Sequence, residues 1–281
     1  PGIIAGGVTQ INMLIDTILA SLLPTGSPSW LYVSDRLMQL PLGIFAIAIA
    51  TVILPRLSNL FASDSREQFS STLDWSIRLI LLIGLPAVIG LVMLAEPIIL
   101  TLFERGEFGA QDSSMASSSL IALAFGLLAF MLIKILTPSF FARQQPKKPM
   151  FVALISMVLN AFLAWLLAFQ LGYAHVGLAL ASSISAFFTV ITLLILLYKD
   201  KVYKSSKGWI YFLFRMLIAS SVLILLINFF SQEVEYLRQI SEFSRFVYIF
   251  KIVLIGMVGY FLSLWILGLR IKDFSNTDVF N

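Results

Sequence analysis

The stretch YVSDRLMQLPLGIFAIAIATVILP, residues 32–55, places an aspartate, an arginine, a glutamine and a proline inside a segment otherwise apolar enough to cross a bilayer. Similar apolar runs recur along the chain, at about 3–23, 32–54, 77–101, 117–140, 150–170, 176–198, 209–230 and 246–268. Each approaches the roughly 20 residues a helix needs to span about 30 Å of hydrocarbon. Of the 281 residues 59% are hydrophobic and 12% charged, whereas soluble domains carry about a quarter charged residues. Backbone groups in lipid must be satisfied internally, and no ten-residue alternating strands are visible. The expectation is an all-α polytopic membrane protein of about eight transmembrane helices.

The connections between runs are of two kinds. One set, with the tail, carries Arg56, Arg66, Arg78, Arg143, Lys147, Lys148, Lys199, Lys201, Lys204, Lys207, Arg270 and Lys272; the other carries only Arg105, Arg238 and Arg245. This asymmetry predicts that the basic loops and both ends of the segment are cytoplasmic. It also accounts for the net charge of +4 without a nucleic-acid partner. With no cysteine and a single histidine, disulfides, thiolate chemistry and a His-based metal site are not expected. Neither a Ser/His/Asp arrangement nor a membrane carboxylate pair is visible, so transport fits better than catalysis. The opening Pro1-Gly2-Ile3 reads as the start of a fragment whose N-terminal part is missing.

Polar residues inside the spans are the informative ones, because a charge at mid-membrane costs roughly 2.5–3.5 kcal/mol on insertion scales. Arg36, Gln39 and Gly43 follow i, i+3, i+7 spacing and share one helix face, with Asp35 about a quarter-turn away. Pro41 removes a backbone donor and frees the carbonyl of Leu37, which predicts a kink beside this stripe. A guanidinium lining a hydrated cavity suits an anionic phosphorylated solute; snorkelling, or pairing with a carboxylate on another helix, is the alternative. In the first span Thr9, Asn12 and Asp16 again share a face. Asp16 could bind sodium, carry a proton, or pair with an arginine such as Arg36. Asn160 in the fifth span is either an ion ligand or an interhelical hydrogen-bonding group. Lys134 is read as snorkelling, His175 as solvated in a short outer loop, Glu96 as interfacial, and Pro86 and Pro97 as shaping helices. Val234, Leu237 and Ile240 are spaced like one face of a short interfacial helix.

The runs TQINMLIDTILAS (9–21), GSPSWLY (26–32) and SDRLMQLPLGIFAIAIATVILPRLS (34–58) closely resemble the MurJ/MviN lipid II flippase family. The similarity continues through LFERGEFGAQD (102–112), ILTPSFFARQQPKKP (135–149) and GLRIKDF (268–274), covering essentially the whole chain. That resemblance implies an exporter-superfamily fold of two six-helix lobes and a terminal pair. Residues 1–200 would be the C-terminal lobe and 201–281 the two-helix extension, with the N-terminal lobe absent. The implied activity moves lipid II, an undecaprenyl-pyrophosphate-linked disaccharide-peptide, across the bacterial inner membrane by alternating access. A cation-coupled exporter of small amphipathic molecules and a non-transporting scaffold are the competing readings. The implied substrate-binding residues are Arg36, Asp35 and Gln39, where some relatives carry glutamate at the position of Gln39. Asp16, Asn12 and Asn160 are the implied ion-binding set; a second carboxylate used by sodium-binding relatives would fall at Ala164. No organic cofactor is expected, and sodium or the membrane potential would supply the coupling. The expected partners are lipid II, bilayer lipids and the missing lobe.

Overall fold

The computed structural model describes residues 2–269, with the side chains of the first helix described from Gln10 onward. Thr9, Arg270, Lys272 and most of the 268–274 motif therefore lie outside the described side chains. Eleven α-helices follow one another: α1 (Gly2–Ser21), α2 (Ser27–Pro41), α3 (Ala48–Ala62), α4 (Arg66–Met93), α5 (Ala95–Phe103), α6 (Ala110–Ala142), α7 (Lys147–Trp165), α8 (Ala174–Lys199), α9 (Trp209–Phe230), α10 (Val234–Gln239) and α11 (Glu242–Ile266). Two π-helical turns, Leu42–Ile47 and Leu166–Gln170, continue α2 and α7. Seven helices among the described residues are long and apolar enough to cross a membrane, α2 and α3 counting as one unit, Ser27–Ala62. The 20-residue α1 corresponds to the first expected span.

Local chemistry sets the boundaries. Gly26 turns the chain into α2 with φ of 99°, a left-handed conformation, and a Cβ there would lie 2.6 Å from the Trp30 ring. The kink expected at Pro41 takes the form of the first π turn: the helix widens over Leu42–Ile47 directly after the proline and then resumes. The expected span 77–101 is corrected at both ends. Helix starts at Arg66, and Leu94, with φ −108° and ψ 16°, breaks it into α4 and α5. Pro97 falls in the first turn of α5, where a missing N–H costs nothing. Inside α4, Pro86 cannot donate to the carbonyl of Leu82, and the Tyr260 hydroxyl on α11 donates to that carbonyl at 3.0 Å.

α6 is the hub. Leu120, Leu127, Met131, Ile135, Leu136 and Phe140 on it are fully buried, within a core shared with α2, α3, α4, α7 and α8. A Cβ on Gly126 would lie 2.8 Å from the Ser183 Cα, so glycine lets α6 and α8 approach closely, and the Ser183 hydroxyl donates to the Ala122 carbonyl at 2.7 Å. α9 and α11 pack on each other and against α4 through a second cluster that includes Phe212, Met216, Leu223, Ile252 and Tyr260. Successive long helices run antiparallel, so the connections gather at two ends. At one end Asp200 takes Arg143 at 2.6 Å and Lys148 at 2.6 Å. At the other, Arg238 on α10 reaches Glu104 at 3.3 Å and Glu96 at 3.5 Å. The short helix expected around Leu237 is present as α10, with Leu237 fully buried.

Two expectations are overturned. Arg78 is no loop residue: it lies inside α4, 1% exposed, with Nε 2.9 Å from Asp74 Oδ2. His175 is not solvated either. It is the second residue of α8, buried, with Nε2 3.1 Å from the Met115 carbonyl and its ring edge-on to Trp30 at 4.7 Å.

Candidate functional site on the second and first helices

One face of α2 is fixed by packing, and that determines what the opposite face presents. Trp30, Val33, Ser34, Leu37 and Met38 are buried. The Trp30 indole N–H donates to Asp112 Oδ1 at 2.8 Å, and the Ser34 hydroxyl donates to the Ala116 carbonyl at 2.7 Å, tying α2 to α6. Asp112 also accepts from the Gly109 N–H at 2.9 Å, so the same carboxylate caps α6 and positions α2. The 3.6-residue period then turns Tyr32, Arg36, Gln39 and Gly43 outward, and all four are exposed. Space beside Gly43 is open: a Cβ there would meet nothing within 4 Å.

Arg36 is an uncommitted cation. No ion pair engages it among the described residues, and its guanidinium sits 4.9 Å over the Tyr32 ring. Asp35, half-buried, accepts a hydrogen bond from Gln39 Nε2 rather than pairing with its neighbour. Tyr32 carries no charge and drew no attention in the sequence; the signal for it is an aromatic ring one helical turn before an arginine.

Asn12, Asp16 and Asn160 do come together. Asn160, buried on α7, donates through Nδ2 to Asn12 Oδ1 and to Asp16 Oδ1, each at 3.0 Å. Asn12 Nδ2 lies 3.3 Å from Asp16 Oδ2, and the Ser182 hydroxyl lies 3.4 Å from Asn160 Oδ1. The pairing of Asp16 with Arg36 is not formed, so amides, not a guanidinium, satisfy Asp16. Across the α1–α2 contact the charges of Asp16 and Asp35 repel each other. Three side-chain oxygens converge here, fewer than the six or so a hard cation takes. Ala164 is buried and adds none. No cluster of three or more His, Asp or Glu placed for a metal occurs among the described residues.

Lys134 is exposed on α6. Reasoning from sequence missed the polar knot around Arg78. Asp74 accepts from the Tyr203 hydroxyl at 2.7 Å, the Trp209 indole at 2.8 Å and the Ser206 hydroxyl. Arg78 also donates to the Ser206 hydroxyl at 2.6 Å and the Lys207 carbonyl at 3.1 Å, with the Trp209 ring 4.9 Å away. Burial and then the bond to the Asp74 carboxylate push the Tyr203 phenol far above its ordinary range.

Comparison with known proteins was made on this geometry. Residues 1–265 match the family model described as lipid II flippase MurJ. A probable lipid II flippase MurJ of Vibrio cholerae is 41% identical over 279 residues, covering 97% of this chain and 52% of the relative. Its Haemophilus influenzae counterpart is 41% identical over 276 residues, covering 96% of this chain and 54% of the relative. A solved lipid II flippase MurJ in an inward closed conformation superposes with a TM-score of 0.77 at 28% identity, over 96% of this chain and 52% of that one. The chain thus spans about half the length of the curated relatives it matches. With its membrane-spanning helices, its open arginine face and a match over nearly its whole length, the chain belongs to the lipid II flippase MurJ family.

Proposed function

We propose that this chain is the C-terminal lobe and terminal helix pair of a lipid II flippase of the bacterial inner membrane. The protein moves the polyprenyl-pyrophosphate-linked disaccharide-peptide from the cytoplasmic to the outer leaflet and performs no covalent chemistry. Residues 1–200 form the lobe and 201–281 the extension, with the basic connections on the cytoplasmic side. The supporting observation is the unpaired guanidinium of Arg36 on the open face of a membrane-spanning helix. A cation left there is costly unless water or an anion meets it, and a guanidinium fork matches a phosphate in two parallel hydrogen bonds. Asp35 and Gln39 flank it as polar groups within the same cavity wall. The opposite wall comes from the lobe outside this chain, and rocking of the two lobes exposes the pyrophosphate site to each side in turn.

Coupling is assigned to the cluster of Asp16, Asn12 and Asn160. A sodium ion there would take the Asp16 carboxylate and the amide oxygens, and Asn160 would have to turn its amide so that Oδ1 faces inward. Because the side-chain oxygens number only three, water or backbone carbonyls would complete the shell; the membrane potential acting on the same carboxylate is the other source of drive.

The test is translocation of labelled lipid II in vesicles by the full-length protein carrying Arg36→Ala. Loss of one charge-assisted hydrogen-bonding group, about 1.5–3 kcal/mol, corresponds to roughly a tenfold or greater drop in rate. Undiminished translocation removes the assignment. Replacing sodium by choline in the same assay separates the two coupling sources.

A further inference from the structure

Arg36 sits beside a carboxylate of opposite sign in the sequence, yet the two do not pair. Adjacent residues on a helix project about 100° apart, but both side chains are flexible enough to close that gap along the helix surface. Each is instead held by a neighbour one turn away, in opposite directions along α2. Gln39 Nε2 donates to Asp35 Oδ2, drawing the carboxylate toward the C-terminal end. The Tyr32 ring takes the guanidinium at 4.9 Å, drawing it toward the N-terminal end. Neither holder is needed for packing. Tyr32 and Gln39 are exposed, while the helix is anchored by Trp30, Ser34 and Leu37 on its other side.

We infer that Gln39 and Tyr32 are positioning residues that hold Asp35 and Arg36 apart, so that the guanidinium stays free for an anionic lipid phosphate. The inference rests on the reading of Arg36 as the pyrophosphate-binding group. An intrahelical ion pair would have to open before phosphate could bind, and apparent affinity falls by the fraction of time the guanidinium is occupied. A neutral amide at position 39 fits this role, because it donates to Asp35 without offering Arg36 a second carboxylate. Asp16 is the other charged group that Asp35 feels, and being negative it cannot substitute for the amide as a holder. Cation–π stacking on an exposed tyrosine is weak enough to yield to a phosphate, as a holder of a binding group must.

The experiment measures vesicle translocation of labelled lipid II by the full-length protein as a function of substrate density, separating half-saturation from maximal rate. Gln39→Leu releases Asp35 and is expected to raise the half-saturating density about fivefold with little change in maximal rate. Adding Asp35→Asn to Gln39→Leu removes the competing charge and should restore half-saturation to within about twofold of the parent. Tyr32→Leu should raise half-saturation about threefold, and Tyr32→Phe, which keeps the ring, should not. A Gln39→Leu protein indistinguishable from the parent, or a double variant no better than the single one, overturns the inference. Failure of the underlying reading looks different: Arg36→Ala would then translocate normally.

Discussion

Two aspartate–arginine pairs occupy this chain, and they are built in opposite ways. Asp74 and Arg78 are one helical turn apart on α4, both 1% exposed, and the carboxylate accepts from four donors while the guanidinium fills the space against Trp209 and Phe212. Asp35 and Arg36 are adjacent on α2, point apart, and leave the guanidinium on an open surface. Charges with every partner in place, sealed from water, fix one helix to another: Asp74 and Arg78 lock the 200–208 loop and the start of α9 onto α4. Charges whose partners are withheld are the ones available to a ligand. The lesson is that an arginine in an apolar segment says little until its partners are counted.

Unfolding measurements in detergent micelles should rank the two pairs in the reverse order of their effect on transport. Arg78→Ala strands the Asp74 carboxylate in a dry site and is expected to destabilise by about 3–5 kcal/mol, the cost of breaking a buried pair from one side. A loss below about 1 kcal/mol would mean that water reaches the knot. Tyr260→Phe leaves the Leu82 carbonyl, already without its helical donor because of Pro86, unsatisfied in a buried site. That should cost about 1–3 kcal/mol in the same assay.

Asp200 ranks next and appears only on acidification. Partial burial raises its carboxyl, but hydrogen bonds from Lys148 and Arg143 outweigh this and hold it below the ordinary carboxylate range. A depressed folded-state value means that the contribution is full above the unfolded carboxylate's value, about 3.9, and is lost as pH falls through the folded one. Asp200→Asn should therefore destabilise at neutral pH and converge with the parent in acid; parallel curves would refute the assignment. Smallest of all is Arg36→Ala, expected within about 0.5 kcal/mol of the parent because nothing packs on that side chain. A large loss would make Arg36 structural, like Arg78, and erase the contrast.

Much of this was readable from residue order. Apolar runs gave the spans, and i, i+3, i+7 spacing put Arg36, Gln39 and Gly43 on one face, where the structure has them exposed. Hydropathy locates lipid, however, and does not locate packing. Arg78 precedes most of an apolar run and so reads as the end of a loop, although Asp74 four residues earlier was the available hint of an intrahelical pair. His175 looked solvated because only its distance from the neighbouring spans was visible; Met115 and Trp30, which enclose it, lie far away in the chain. The Pro86–Leu82–Tyr260 arrangement joins residues 178 apart and leaves no local trace. Asn160 could be joined to Asn12 and Asp16 only through resemblance, since their contact spans 148 and 144 positions.

The wide turn after Pro41 has a consequence for how α2 works as a lever. A π segment carries one residue more than an α turn needs over the same rise, so the two halves of Ser27–Ala62 are out of phase by about 100°. Deleting a single residue between 42 and 47 would let the helix wind regularly and swing Thr51 and Arg56 around the axis relative to Arg36, without removing any functional side chain. The segment is a vernier: one residue of slack sets which way the inner half of the rod faces while the outer half grips its cargo.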